Sequence, residues 1–284
     1  MINNSFLNIL FFIITTILYF VAIRPKLTVD IMMNPDSQVK YEKQKLISLG
    51  IYFMLAVLVQ FVINVSVINS VCGGYLSQNI GSSALITFLN WVLIFGVLMI
   101  ILVIFPGFKS AFSDVVGYFY VSKKANDLLT DLLIDPKLSG KIDSATQGNP
   151  DKKRELETVA DTIIKICGNT SILINQMIPT NFMEYWGLLQ PLMKDQFQGN
   201  TEASQKIRNE LFELVVTKDI IGEAMWYVYT GILMVCIVQY KIALNGCKSN
   251  SATMEANYKK FQEEEEENQK KQSKEKKQVY TITQ

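Results

Sequence analysis

The chain has 284 residues, 49% of them hydrophobic, with 27 Lys and Arg against 26 Asp and Glu for a formal charge of +1. That balance gives no bulk attraction to nucleic acid. Histidine is absent, which removes the commonest general base near neutral pH and the commonest zinc and copper ligand.

Residues 6–23 form the first apolar segment. It is long for a cleaved signal sequence, no basic residue precedes it, and Arg24 and Lys26 follow it. It reads as an uncleaved membrane anchor. Arg24, Lys26, Lys40, Lys43 and Lys45 then make a basic stretch. From residue 46 to residue 108 no charged residue occurs. Two segments in this run, 46–70 and 85–105, are each long enough to cross a bilayer, which needs about 20 mostly apolar residues. A polar loop, 71–84, joins them. A fourth candidate, 220–244, carries Glu223 and Lys241 near its ends, and both are expected to reach an interface, Lys241 by snorkelling. Trp226, Tyr227, Tyr229 and Tyr240 flank it as an aromatic belt.

The basic stretch 24–45 is expected on the cytosolic side. Four spans put the segment after Pro106 on that side too, with both termini and the Cys72 loop opposite. The lysines of the tail oppose this placement, which reverses for the tail if 220–244 lies flat or re-enters. Gln60, Asn64, Asn69 and Asn90 are the polar residues within the spans. They are expected to hydrogen-bond neighbouring helices rather than line a pathway.

The fold class is therefore an all-α membrane protein. Its expected parts are a membrane domain, 1–106; a soluble helical insert, 107–219; a fourth span, 220–244; and a charged tail, 245–284. Within the insert, Phe112, Val115, Val116, Phe119, Tyr120, Leu128, Leu129, Leu132 and Leu133 recur at helical spacing. The start of this helix reads equally as interfacial or as domain core. A Gly/Ser/Asp-rich break follows at 136–148, and Asn149-Pro150-Asp151 reads as a helix start. Leu156, Val159, Ile163, Ile166, Leu173 and Met177 continue an apolar stripe that Pro179 ends. A short aromatic piece, 181–193, comes next. Thr201 is then expected to cap a helix carrying Ile207, Leu211, Leu214 and Val215. In the tail, Glu266 with Lys270 and Glu267 with Lys271 are favourable i, i+4 pairs, on a solvated helix or a tether.

Catalytic chemistry finds no support. There is no phosphate-binding loop, nucleophile elbow or dinucleotide fingerprint. Asp127, Asp131 and Asp135 share a helix face, which is more simply solvated than metal-binding. Cys72, Cys167, Cys236 and Cys247 form no C-x-x-C, and Cys236 is expected to pack inside a span. The sequon at Asn169-Thr170-Ser171 falls on the cytosolic side and reads as chance. No catalytic, cofactor or metal residue is expected, and the chain is not expected to be an enzyme.

Several strings carry a family resemblance: Val59-Gln60-Phe61-Val62-Ile63-Asn64, Cys72-Gly73-Gly74, Phe88-Leu89-Asn90-Trp91-Val92-Leu93-Ile94-Phe95-Gly96, and Phe105-Pro106-Gly107-Phe108-Lys109-Ser110-Ala111-Phe112-Ser113-Asp114-Val115-Val116-Gly117-Tyr118. Residues 24–135 resemble membrane proteins of large nucleocytoplasmic DNA viruses, the giant viruses. The resemblance implies a structural, membrane-spanning virion protein of an internal membrane, held in host endomembrane before assembly, contacting minor capsid proteins or other virion proteins. Its expected partners are the lipid bilayer, proteins reached through the insert, and further copies of itself. A channel or transporter subunit, with the intramembrane amides lining an oligomeric pore, is the alternative.

Overall fold

The computed structural model describes residues 4–72, 77–133, 170–245 and 251–279. It is about 91% helical, with no strand among the described residues. Four helices are long and apolar enough to span a membrane: Phe6–Ile23, Pro35–Ser70, Ile80–Ile104 and Glu202–Leu244.

Helix α1 (Asn4–Leu18) runs on through a π turn, Tyr19–Ile23. After the short α2 (Val29–Met33), α3 (Pro35–Cys72) begins well before its apolar part. Asn34 caps it, its Oδ1 accepting from the backbone N–H groups of Asp36 and Ser37. Helix α4 (Ser77–Asn90) passes through a second π turn, Trp91–Gly96, into α5 (Val97–Ile104). Pro106 breaks the span, because proline lacks the N–H that the helix needs, and a 3-10 turn, Pro106–Lys109, redirects the chain. It continues through α6 (Ser110–Phe112) and a third π turn, Ser113–Gly117, into α7 (Tyr118–Leu132). Helices α8 (Thr170–Gln176) and α9 (Phe182–Leu189) are short. Helix α10 (Glu202–Asn245) has 44 residues, and α11 (Ser251–Val279) carries the tail.

The spans alternate in direction. Asn64 of α3 bonds Thr87 of α4 and Gln239 of α10, while Tyr19 stacks on Tyr52 and Tyr52 meets Tyr227. These contacts fix α1 and α4 antiparallel to α3, and α10 parallel to it. Phe12, Tyr19, Tyr52, Trp91, Phe95 and Tyr227 fill the bundle centre. Their rings meet edge-on or offset, with Trp91 and Phe95 centroids 5.1 Å apart, the arrangements that aromatic quadrupoles favour. Gly231 lets α10 approach α1, because a Cβ there would overlap the Phe12 ring. Leu58, Val62, Leu89, Leu93, Val97 and Ile100 face outward as a lipid-facing belt.

Below the bundle a second core joins α7, α8, α9 and the first part of α10 through Leu129, Leu132, Leu173, Phe182, Trp186 and Phe212. Thr201 caps α10 as its sequence position predicts, its hydroxyl accepting from the Ser204 N–H at 3.1 Å. Gly199 precedes it with φ +80°, a left-handed turn suited to glycine.

Two expectations need correction and two readings are refined. The expected fourth span, 220–244, is the latter part of α10, one helix from Glu202 to Asn245 that also runs through the end of the insert. Of the two readings of the helix start, interfacial or domain core, the exposure of Val115, Val116, Phe119 and Tyr120 goes against the core. They are exposed, while Gly117, Val121, Ala125, Leu129 and Leu132 are buried, because at 3.6 residues per turn the second set falls on the opposite side of α7 from Phe119 and Tyr120. Glu223 does not reach out to an interface but is buried, and the Lys241 ammonium bonds the Asn90 Oδ1 at 2.8 Å. Cys236 faces outward on α10 as an exposed free thiol. The expected break at 136–148, the helix start at 149–151, the stripe residues Leu156 to Ile166, Asp135, Asn169 and the side chains of Cys72, Cys167 and Cys247 lie outside the described residues.

Candidate functional site: a buried charge junction beneath the bundle

Where the spans meet the insert, four charged side chains converge. The Glu223 Oε2 accepts from the Lys109 Nζ at 2.8 Å and the Arg24 Nη2 at 3.3 Å. The same lysine bonds the Asp219 Oδ2 at 3.0 Å. The Tyr227 hydroxyl donates to the other carboxylate oxygen at 3.1 Å. Asp219, Glu223 and Tyr227 fall at successive i+4 positions on α10, so a single helix face presents them. Arg24 comes from the end of α1, and Lys109 from the turn that Pro106 sets. The side chains of Arg24 and Lys109 are each 6% exposed and that of Glu223 is 3% exposed.

Burial is the largest single influence and works against the charge of both cations, but the Glu223 and Asp219 carboxylates, with their other neighbours, together outweigh it. Arg24 and Lys109 are held above their ordinary pKa values. With two cations and two carboxylates, the cluster is neutral. Such an arrangement holds an orientation well, and it is a poor source of net stability unless every member is paired.

One turn further from the membrane, Lys218 repeats the device. Its Nζ donates to the Asp114 Oδ1 at 3.0 Å and to the Asn175 carbonyl at 3.2 Å. The Asn175 amide in turn donates to the Asp114 carbonyl at 3.1 Å. Close backbone approach accompanies these bonds. A Cβ on Gly117 would lie 2.6 Å from the Lys218 carbonyl, and one on Gly222 would lie 2.7 Å from the Ser113 Cβ and 2.9 Å from the Lys109 carbonyl. Nearby, the Trp226 Nε1 donates to the Phe108 carbonyl at 2.8 Å.

The second polar group lies within the bundle. Asn64 accepts from the Asn8 amide at 2.9 Å and the Gln239 amide at 2.7 Å, and donates to the Thr87 hydroxyl at 2.9 Å. Gln60, one turn away, donates to the Asn8 carbonyl at 3.3 Å. These residues join α1, α3, α4 and α10 as interhelical polar contacts. Asn90 also bonds within its own helix, to the Ile86 carbonyl. Asn69 does not join the group, and its buried amide has no hydrogen-bond partner among the described residues.

Neither group contains a nucleophile paired with a base. Among the described residues no cluster of three or more Asp, Glu or Cys could hold a metal ion. Asp127 and Asp131 stand exposed on α7. Sequence reasoning found Asn64 and Gln60 as helix contacts, and missed Arg24, Lys109, Asp219 and Glu223 as a unit. The available signal was the placement of isolated charges at the ends of three different apolar segments.

The chain is a helical protein with four helices long and apolar enough to span a membrane, and a helical unit packed against their bundle. No family model matches the chain, and no curated protein or solved structure is similar to it.

Proposed function

We propose that this is a non-enzymatic structural protein that holds a helical docking unit in a fixed orientation against a membrane. The observation that carries the reading is α10. One uninterrupted helix serves both as a core element of the insert and as the fourth span. The buried contacts of Glu223 with Arg24 and Lys109 clamp it to two other segments at the crossing point. A transporter needs packing that can exchange between two states, whereas this junction is built from buried charges and glycine contacts that resist separation.

The resemblance of residues 24–135 to giant-virus membrane proteins supports a narrower assignment. In it, the chain is a membrane-spanning virion component of an internal membrane whose insert contacts capsid layers, and residues 24–45 and the insert share the cytosolic side. Cross-linking mass spectrometry in purified particles tests this. Cross-links from insert lysines, such as Lys206, to a capsid-layer protein are expected, and absence of the chain from particles would end the virion assignment.

The channel reading retains one supporting observation: the Asn8 Oδ1, Gln60 Oε1, Ser83 Oγ and Trp91 Nε1 are buried inside the bundle without hydrogen-bond partners among the described residues. Conductance in reconstituted bilayers that disappears on Asn64→Leu would favour it. The structural reading expects silent bilayers for both proteins.

A further inference from the structure

The two flanks of the molecule differ just beyond the charge junction. Heights can be compared because the register is fixed. Gly117 lies against Lys218 and Gly222 against Ser113, so facing residues of the α6–α7 segment and α10 sum to 335 (117 + 218 and 113 + 222). Residues level on α3 and α10 differ by 175, from the Asn64–Gln239 and Tyr52–Tyr227 contacts (239 − 64 and 227 − 52). Phe119 therefore lies level with Val216, and Lys40 to Gln44 lie level with Val215 to Asp219.

At that height the α3 flank exposes Lys40, Glu42, Lys43 and Gln44. The opposite flank exposes Val115 at 68%, Phe119 at 84% and Tyr120 at 73%. This apolar strip does not stand alone. It continues through Phe112, Phe108 and Phe105 into the lipid-facing residues Ile104 and Ile100, and Phe112 packs on Trp226 at 5.0 Å. Exposed Lys123 and Lys124 end it one turn later. An aromatic strip that leaves the lipid-facing belt and stops at lysines has the composition of the boundary between acyl chains and headgroups.

The geometry points to a lipid-binding flank: Val115, Val116, Phe119 and Tyr120 are sunk in the headgroup–acyl boundary of the bilayer that the spans cross, with Lys123 and Lys124 at the phosphates, and the bundle tilts to allow it. The magnitudes agree. On α3 the outward apolar surface starts at Leu46, level with Ile221, five residues from the level of Phe119. That is about 7 Å along a helix axis at about 1.5 Å per residue. An average tilt of about 20°, across two helices about 10 Å wide each, lowers one flank by about 7 Å. The same bilayer surface then meets charge on α3 and aromatic rings on α7. The faces of the insert turned away from the membrane remain for protein contacts, and the inference is independent of the virion assignment.

The test uses the full chain in phosphatidylcholine vesicles containing a phospholipid with a photoactivatable diazirine near the acyl carbonyl. Adducts are mapped by mass spectrometry, with Leu93 as the lipid-facing reference. Labelling of residues 115–120 is expected within about threefold of Leu93, with residues 40–44 at least tenfold or so lower, as an immersed flank and a wet one require. The variant Phe119→Asp, at a position whose exposure leaves the fold intact, is expected to lower labelling of Tyr120 several-fold. If residues 115–120 fall to the level of 40–44 and hydroxyl radicals oxidise Phe119, the strip faces water, is open to a protein partner, and the inference fails. Equal labelling of both flanks refutes the tilt.

Discussion

Replacing Glu223 by Gln tests whether the charge junction orients the molecule. The substitution keeps the volume and removes one negative charge, taking the four-membered cluster from neutral to +1. Lys109 retains Asp219 at 3.0 Å, whereas Arg24 loses the carboxylate that its Nη2 contacts at 3.3 Å while its side chain stays 6% exposed. Breaking a buried pair by removing one member costs about 3–5 kcal/mol. For a chain of this size that corresponds to a melting temperature lower by roughly 6–20 °C. The double variant Arg24→Met/Glu223→Leu removes both uncompensated groups and leaves the Lys109–Asp219 pair intact. It is expected to regain at least half of the loss, because apolar replacement of a whole buried pair is often neutral. Thermal unfolding in lipid nanodiscs, followed by far-UV circular dichroism, measures both. A single variant within about 1 kcal/mol of the parent, the range of surface pairs, would refute the reasoning. So would a double variant as damaged as the single one.

Further outcomes follow from the same contacts. Gly222→Ala should cost about 1–3 kcal/mol through forced separation of backbones, because its Cβ would meet the Lys109 carbonyl at 2.9 Å. Gly107→Ala, with nothing within 4 Å of the new Cβ, should stay within about 0.5 kcal/mol; comparable losses for the two variants in the same unfolding assay would contradict the packing argument. Asn64→Leu should cost roughly 1–3 kcal/mol, since interhelical polar contacts in membranes contribute about 0.6–2 kcal/mol each. Detergent-induced unfolding checks it, and an unchanged midpoint would remove the amide group from the stability account. Lys109 has a raised pKa in the folded protein, so its contribution is complete below the ordinary lysine value and is lost only as pH rises through the higher folded one. The gap in melting temperature between the parent and Lys109→Met should hold from about pH 7 to about pH 10 and close above it. Closure below about pH 9 would count against the pairing.

Much of the membrane part was legible in the sequence because a lipid environment writes a one-dimensional signal: length and apolarity select the spans. The Thr201 cap and the Asn64 contacts are similarly local in character, one a short-range backbone bond and the other a polar residue with no water to turn to. The junction was not legible. Arg24 and Glu223 are 199 residues apart in sequence, and each alone resembles a charge seeking an interface. The continuity of α10 was hidden for the same reason. Lys218, Asp219 and Glu223 look like a span boundary until Asp114, Lys109 and Arg24 are placed beside them. The outward turn of Phe119 and Tyr120 was concealed because residues 112–133 read as one apolar stripe, whereas at 3.6 residues per turn Leu129 and Leu132 fall on the opposite side of the helix from Phe119 and Tyr120.

The length of α10 gives it the properties of a lever. Its span is held by lipid, and its first part is rooted in the insert's core. The arm from Glu223 to Glu202 measures about 32 Å at about 1.5 Å per residue. A thicker or thinner bilayer changes the tilt of a spanning helix, and a rotation of about 10° would carry the far end of this arm through about 5 Å. With no break in the helix at the crossing point, little of that movement is absorbed on the way. A change of tilt would therefore carry the insert and the bundle together, keeping the insert's orientation relative to the spans.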